Sequence, residues 1–234
     1  MSPTPAVPPT PALLFDLDGT LVDTVYEHVL AWREALESEG IELAIWRIHR
    51  RIGMSGGLFV DALLRETDRP VTDATAERLQ RAHAEIYRRY AGRVRPLPGA
   101  AELLAHLSAL KVPWAVATSG LRPVAEATLA VLGVPDGVPV VTRDEVAHAK
   151  PDPDLFVVAA DRLGVDVADS VVVGDSIWDL LAARRARALG VGLLSGGYGR
   201  EELERAGAYR VYEDPADLLR HLGEVGIRAP REPG

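Results

Sequence analysis

The chain has 234 residues, 26 basic and 34 acidic, for a net charge of −8, and it contains no cysteine. The negative charge argues against a general nucleic-acid-binding protein. The lack of cysteine excludes disulfides, thiolate metal sites and a cysteine nucleophile. No apolar run approaches the roughly 18 residues of a membrane-spanning helix. These totals predict a globular cytoplasmic protein, long enough for one domain or for a core with a smaller lobe.

Residues 1–11 contain five prolines and neither a basic segment nor a long apolar one. Such a stretch favours an extended chain without regular secondary structure. It also lacks the basic and apolar regions of a secretory signal. We therefore expect a disordered leader over residues 1–11.

An apolar run, Ala12–Phe15, leads directly into Asp16, Asp18 and Gly19. The run predicts a short buried strand. Residues i and i+2 of an extended chain face the same way, so the two carboxylates leave the strand directed at one place. Two ionised carboxylates this close repel each other, which requires either a proton or a cation between them. A strand followed by an ordinary acidic turn remains the alternative interpretation.

Residues 24–95 show the apolar spacing of helices and no convincing strand. Helices are predicted at residues 26–38, 58–65 and 73–90, with a further short segment at 45–52. Thr72 or Asp73 is expected to cap the longest of them. Together they predict a four-helix insert. Its glycine-rich loop, residues 53–57, is either a contact to the rest of the molecule or a plain helix–helix connection.

From residue 100 onward, helices and strands alternate. Helices are predicted at residues 100–110, 123–132, 153–163, 177–189, 200–206 and 214–222, and strands at 113–117, 138–141, 170–173, 191–194 and 209–211. Strands that are continuously apolar and alternate with helices indicate a parallel sheet covered on both faces. The predicted fold is therefore α/β, a doubly wound parallel-sheet, Rossmann-like core with an inserted helical domain.

Polar groups follow several of these strands, and ligands of such sheets bind at the carboxyl ends of the strands. The groups are Asp16 and Asp18, then Thr118 and Ser119, then Lys150, then Asp175 and Asp179. The hydroxyls and the last two carboxylates could also simply cap the helices that follow them. Lys150, which precedes a proline, could be an ordinary surface lysine, but it is one of only two lysines beside 24 arginines. A compact ammonium is suited to holding a carboxylate and a phosphate together.

The order and spacing of these groups resemble the four motifs of the haloacid dehalogenase (HAD) superfamily over roughly residues 12–212. D-L-D-G-T-L-V-D-T at residues 16–24 is similar to the first motif. The insert that follows resembles the helical C1 cap of the β-phosphoglucomutase and phosphoglycolate phosphatase subgroup. The resemblance implies a core domain of residues 12–23 and 96–234 and a cap domain of residues 24–95.

The resemblance also implies a Mg²⁺-dependent phosphatase that hydrolyses a small phosphomonoester, such as phosphoglycolate or a sugar phosphate, through an aspartyl-phosphate. The implied catalytic residues are Asp16, Asp18, Thr118 and Lys150. The residues implied for phosphate or substrate binding are Thr118, Ser119, Lys150 and, in the cap loop, Gly53, Ser55 and Gly56. The implied metal ligands are Asp16, Asp18 through its backbone carbonyl, and Asp175, with Asp179 close behind them. The chain has Gly174 where some relatives have an acidic residue, so the roles of Asp175 and Asp179 stay open.

Other features are expected to be structural or accessory. His28 and His83 are predicted to be surface or packing residues, and the loop at residues 195–199 is predicted to support the sheet edge. The expected partner is a small phosphorylated metabolite, with no nucleic acid and no membrane. The expected assembly is a monomer or a weak homodimer.

Two other functions compete with the phosphatase. A β-phosphoglucomutase-like mutase would carry an arginine after the serine of the cap loop, where this chain has Gly56 after Ser55. A non-catalytic phospho-switch of the receiver type would be much shorter and would lack the helical insert. A dehalogenase of the superfamily lacks an acidic residue at the position of Asp18, so Asp18 favours phosphate chemistry.

Overall fold

The computed structural model describes residues 10–67 and 72–228. The predicted leader, residues 1–11, lies outside this part except for Thr10 and Pro11. The described strands are Ala12–Phe15 (β1), Val22–Asp23 (β2), Arg95–Pro96 (β3), Trp114–Ala117 (β4), Val140–Val141 (β5), Ser170–Gly174 (β6), Leu189–Leu193 (β7) and Ala208–Tyr212 (β8). The described α-helices are Val25–Ser38 (α1), Ile45–His49 (α2), Gly56–Arg65 (α3), Asp73–Tyr90 (α4), Ala100–Ala109 (α5), Arg122–Leu129 (α6), Asp154–Leu163 (α7), Ile177–Ala186 (α8), Arg200–Ala206 (α9) and Pro215–Arg220 (α10).

A six-stranded parallel sheet forms the centre of the core, in the order β5-β4-β1-β6-β7-β8. Strand β1 lies in the middle, where Leu13 pairs with Trp114 on one side and Val171 on the other. Strands β1, β4 and β6 are buried along their whole length, as expected when helices cover both faces of a sheet. The predicted α/β fold with a doubly wound parallel sheet is confirmed.

Side chains of β1 alternate between the two faces of the sheet, and each face has its own apolar cluster. Leu13 and Phe15 pack with residues of α5, α6 and α10 on one face. Leu14 packs with residues of α7 and α8 on the other. Each fully buried aliphatic or aromatic side chain of this kind stabilises the fold by about 1.5–3 kcal/mol. This packing fixes the direction of β1 and hence the point at which Asp16 emerges.

Helices α1–α4, residues 25–90 without 68–71, form a helical insert with its own apolar cluster. Trp32 of α1, Phe59 of α3 and Leu79 of α4 belong to this cluster. The Thr72 hydroxyl caps α4 by accepting a hydrogen bond from the Thr75 amide, so this cap lies where the sequence predicted it. The insert therefore packs as a layer apart from the two clusters beside the sheet.

The insert is joined to the core by a short antiparallel ribbon of β2 and β3. Val22 pairs with Pro96, and Asp23 pairs with Arg95. The chain therefore enters and leaves the insert side by side. The sequence analysis did not predict this ribbon, because strands of two residues are too short to show an alternating pattern.

Several helix boundaries differ from those predicted, and two of the differences have a clear cause in the backbone. Helix α3 begins at Gly56, because Ser55 already has the extended backbone of an N-cap residue, with φ −62° and ψ 141°. Helix α8 ends at Ala186, because Arg187 adopts a left-handed conformation with φ 62° that stops the helix. The chain then enters β7 at Leu189, a residue that the sequence analysis assigned to the helix.

Within the described ranges, no helix combines the length and the apolar character needed to cross a membrane.

Candidate active site

The first strand delivers Asp16 to the carboxyl edge of the sheet. Its amide donates to the Val173 carbonyl at 2.9 Å, and its side chain is buried. Gly19 turns the chain directly after this point with φ +82°. A Cβ atom there would lie 2.7 Å from Asp175 Oδ2, so the turn requires a residue without a side chain. The turn after Asp16 thus packs directly against the Asp175 carboxylate.

Lys150 is fully buried beneath the same edge. Its ammonium contacts Asp16 Oδ1 and lies 2.8 Å from Asp179 Oδ1. Burial opposes the charged form, but the two carboxylates outweigh it and raise the pKa of Lys150 above its ordinary value. A buried lysine held as an ammonium between two carboxylates places a fixed positive charge beside Asp16.

Three buried carboxylates converge at this edge, those of Asp16, Asp175 and Asp179. One oxygen of each lies within 4.8 Å of the others. Burial and the neighbouring carboxylates raise the pKa of Asp175 well above its ordinary value, although the Thr20 hydroxyl donates to it at 2.9 Å. Burial likewise raises the pKa of Asp16, with Lys150 opposing. In the described part of the chain, Lys150 is the only side-chain cation that pairs with any of the three acids, and it pairs with Asp16 and Asp179, so further positive charge is needed to keep all three ionised.

This donor set fits Mg²⁺, which prefers oxygen ligands and takes one or two protein carboxylates along with waters. Asp179 is the most constrained of the three, because it accepts hydrogen bonds from the Ser176 amide at 3.1 Å and the Ser176 hydroxyl at 2.6 Å. A Cβ atom at Gly174 would overlap the Asp179 side chain. The chain therefore has glycine at residue 174 because Asp179 occupies the space that a side chain there would need.

Strand β4 ends in Thr118 and Ser119. Thr118 is buried, and its hydroxyl accepts a hydrogen bond from the Gly120 amide at 3.0 Å. The Ser119 hydroxyl donates to the Gly53 carbonyl at 3.0 Å, a contact between the core and the insert. Both hydroxyls therefore lie at the edge of the sheet that carries Asp16, as the sequence analysis predicted from strand order.

The glycine-rich segment of the insert lies directly over this edge. The Ser55 amide donates to the Lys150 carbonyl at 3.1 Å, and Gly53, with φ +94°, packs against Ser176. Gly53 and Gly56 line the cavity beside the carboxylates, whereas Ser55 does not. Gly56 belongs to the first turn of α3 and not to a loop.

Asp18 is held by two residues at the start of the insert. The Thr24 hydroxyl donates to Asp18 Oδ1 at 2.8 Å, and His28 Nε2 lies 3.3 Å from the same oxygen. Burial by itself would raise the pKa of Asp18, but His28, Thr24 and Lys150 outweigh it and hold this pKa below its ordinary value. Asp18 is thus an oriented carboxylate in the free protein.

His28 and His83 pack as predicted, but they also extend the network around Asp18, which the sequence analysis missed. His28 Nδ1 lies 3.1 Å from His83 Nε2, and the His28 ring stacks on Tyr87 at 4.0 Å. Burial and then His28 lower the pKa of His83 well below its ordinary value, so His83 is neutral. The sequence signal was the spacing of Thr24 and His28, which at i and i+4 face the same side of a helix.

A cavity of about 310 Å³ connects these groups. Its floor is formed by Asp16, Asp18 and Thr118, and its roof by residues of the insert. The roof residues include Trp32, Phe59, Gln80 and His83. Asp175, Asp179 and Lys150 lie beneath the floor and do not line the cavity. The site can therefore hold a small organic group against the insert while presenting it to Asp16 and Asp18.

Comparisons with known proteins identify the family of this chain. A family model described as haloacid dehalogenase-like hydrolase matches residues 10–187. Phosphoglycolate phosphatase of Rhodospirillum rubrum is 33% identical and covers 91% of this chain and 90% of its own length. Hexitol phosphatase A of Escherichia coli is 33% identical and covers 70% of this chain and 73% of its own length. The crystal structure of a hydrolase from Pseudomonas syringae has a TM-score of 0.91 at 54% identity and covers 93% of this chain and 100% of its own.

The chain belongs to the haloacid dehalogenase-like hydrolases. Within them it falls in the subgroup that the sequence analysis predicted, with a helical segment inserted after the first motif. The prediction of an enzyme of the phosphoric monoester hydrolase class is also confirmed.

Proposed function

We propose that the protein is a Mg²⁺-dependent phosphatase that hydrolyses a small phosphomonoester through an aspartyl-phosphate on Asp16. The observation that carries this proposal is the contact between the buried Lys150 ammonium and Asp16, at the floor of a cavity that also exposes Asp18. A carboxylate nucleophile needs a fixed cation beside it, because the phosphoryl group that it attacks is itself negative.

In the first half of the reaction, an oxygen of Asp16 attacks phosphorus as the bond to the substrate oxygen breaks. Asp18 donates a proton to that leaving oxygen. The approach of a phosphate dianion raises the pKa of Asp18, which supplies the protonated form. The Thr118 hydroxyl and the amides after it hold the phosphoryl oxygens.

In the second half, Asp18 takes a proton from a water molecule, whose oxygen attacks phosphorus and releases Asp16 and inorganic phosphate. Thr24 and His28 keep the Asp18 carboxylate directed at the same place in both halves. Asp16 and Asp175 would hold Mg²⁺ through carboxylates and Asp18 through its backbone carbonyl, with Asp179 holding Lys150 in position. When bound, Mg²⁺ supplies positive charge that offsets the charge of the phosphoryl oxygens.

We also propose that residues 24–95 form a mobile cap domain over a core of residues 12–23 and 96–234. Closure of the cap would exclude water and bring the roof of the cavity onto the substrate. The cavity of about 310 Å³ suits a small metabolite. Phosphoglycolate and sugar phosphates are the proposed substrate classes, in keeping with the names of the relatives. The cytoplasmic location and the monomeric or weakly dimeric state stay predictions.

The mutase is the less favoured alternative. A mutase must keep water away from its aspartyl-phosphate while the sugar reorients, which requires firm contacts from the insert to the sugar. Gly56 and Gly57 offer no side chain for such contacts. A non-catalytic phospho-switch would hold its phosphate, whereas the oriented Asp18 supports rapid hydrolysis.

The test is release of inorganic phosphate from a panel of small phosphomonoesters in Mg²⁺, compared with the interconversion of hexose 1- and 6-phosphates. We expect phosphate release from several substrates without a bisphosphate activator, and its loss in Asp16→Asn with the fold intact. Sugar phosphate interconversion faster than phosphate release would favour the mutase. Steady-state turnover by pure Asp16→Asn would refute the covalent mechanism.

A further inference from the structure

A loop at the sheet edge, residues 194–199, lies directly on the acidic cluster. We call it the rim loop. It follows β7, and its Ser195 hydroxyl donates to the Gly19 carbonyl at 2.6 Å, which ties it to the turn after Asp16. A Cβ atom on Gly196 would overlap Oδ2 of Asp175. The backbone of the rim loop therefore packs against the Asp175 carboxylate with no space between them.

The opposite side of the rim loop faces the insert. Nε2 of His49, the last residue of α2, lies 2.8 Å from the Gly196 carbonyl, which can only accept, so His49 is the donor. The Tyr26 ring stacks on the His49 ring, with centroids 5.4 Å apart and an interplanar angle of 13°. A Cβ atom on Gly197 would lie 2.9 Å from His49 Nε2. A single layer of backbone thus separates a side chain of the insert from Asp175.

Two more contacts hold the insert to this loop. The Tyr198 hydroxyl donates to the Arg50 carbonyl at 2.7 Å, and the Arg50 guanidinium lies 4.1 Å from the centre of the Tyr198 ring. Arg50 also pairs with Glu202 of α9. The contacts come from both the backbone and the side chains of residues 49 and 50, so they constrain the orientation of α2 as well as its distance from the sheet.

We propose that these contacts form a latch through which the position of the insert sets the position of Asp175, with His49 as its central positioning residue. Asp175 is repelled by Asp16 and Asp179, so its carboxylate needs a physical restraint. The backbone of the rim loop restrains the Oδ2 side of this carboxylate by contact, and the hydrogen bond from His49 holds Gly196 in that position. A carboxylate fixed in place loses less conformational entropy on binding a cation, so a closed latch favours Mg²⁺.

This inference rests on the proposed role of Asp175 as a metal ligand, and the experiment separates the two. We would measure Mg²⁺ binding by calorimetry in the full chain, for the wild type and for His49→Ala, His49→Gln, Tyr198→Phe and Asp175→Asn. His106→Ala is the matched control, because His106 is an exposed histidine of α5 far in sequence from the site.

We expect His49→Ala to raise the Kd for Mg²⁺ by about 10-fold, the lower end of the range for losing a residue that orients a metal ligand. His49→Gln should recover most of the affinity, because the glutamine amide can still donate to the Gly196 carbonyl. Tyr198→Phe should shift the Kd in the same direction as His49→Ala, and the control should not shift it. In kinetics, the Mg²⁺ concentration for half-maximal rate should rise in His49→Ala while KM at saturating Mg²⁺ stays unchanged.

Wild-type affinity in His49→Ala, together with loss of binding in Asp175→Asn, would overturn the latch and leave the metal site intact. Should His49→Ala fail to fold, wild-type affinity in Tyr198→Phe would overturn it equally. Unchanged binding in Asp175→Asn would instead refute the metal assignment in the proposed function.

Discussion

Replacing Lys150 by methionine tests how the charges of the buried carboxylates are balanced by the lysine. Methionine keeps most of the side-chain volume but removes the ammonium that contacts Asp16 and Asp179. Removing one partner of a buried ion pair costs about 3–5 kcal/mol, because the other partner is left without a counter-charge. We expect a loss of this size in the free energy of unfolding at pH 8, measured with EDTA present to exclude metal ions.

The decrease in the free energy of unfolding caused by Lys150→Met should be smaller in acid, because of the protonation of Asp16. Burial raises the pKa of Asp16 to about 7, although Lys150 opposes this, so losing Lys150 raises it further. A carboxyl with a raised folded-state pKa contributes its stability fully below the unfolded pKa and loses it as pH rises. At pH 5 Asp16 is protonated in both proteins, so the difference should be smaller there by up to about 1.4 kcal/mol, which is the value of the one pKa unit between pH 7 and pH 8.

Urea denaturation at both pH values provides the measurement, and Lys111→Met provides the control. Lys111 is the other lysine of the chain and is exposed, so its replacement should change stability little at either pH. Millimolar Mg²⁺ should restore part of the stability of Lys150→Met at pH 8, because it replaces the missing positive charge. Equal losses at pH 5 and pH 8 would show that the reasoning about charge balance is wrong.

Three further outcomes can be checked. EDTA should abolish phosphate release and Mg²⁺ should restore it, whereas Ca²⁺ should restore it poorly because its coordination is larger and looser; full activity in metal-free buffer would contradict the site. Gly56→Val should change the relative rates among substrates more than the melting temperature, because a Cβ atom there meets Gln80 in the cavity at 3.5 Å; an unchanged preference would count against a role for this position. Burial would raise the pKa of Glu145, but hydrogen bonds from Arg162, Thr142 and Arg122 outweigh it and lower this pKa from 4.5 to about 2. With the charge partly screened by solvent, the contribution of Glu145 to stability is about 1 kcal/mol, present above pH 4.5 and lost towards pH 2. Glu145→Gln should therefore lose less stability than the wild type over that acid range in urea titrations.

The core of the molecule could be predicted from sequence, because its strands show as local apolar runs and the topology of a parallel sheet determines where those strands end. Continuous apolar runs such as Ala12–Phe15 identified buried strands, and parallel strands must end at one edge. Strand order therefore brings Asp16 together with Lys150 and Asp175, although both are more than 130 residues away in the sequence. The scarcity of lysine gave independent support to Lys150.

The contacts between the insert and the core could not be predicted in the same way. They depend on where one layer of helices lies on another, which no periodicity encodes. The hydrogen bond between His49 and Gly196, for example, joins segments with no shared pattern. The need for glycine at residue 174 could not be predicted either, because it arises from the Asp179 side chain, which occupies the space that a side chain at residue 174 would need.

The ribbon of β2 and β3 has a consequence for how such a protein can change. Because Asp23 and Arg95 are paired neighbours, the chain enters and leaves the insert at one place. Lengthening, shortening or exchanging the segment between them need not stretch the parallel sheet. The ribbon is therefore a position at which a different insert can replace the present one while the core is kept. A new insert would change the residues that contact the substrate, and Asp16 and Lys150 would keep their positions in the core.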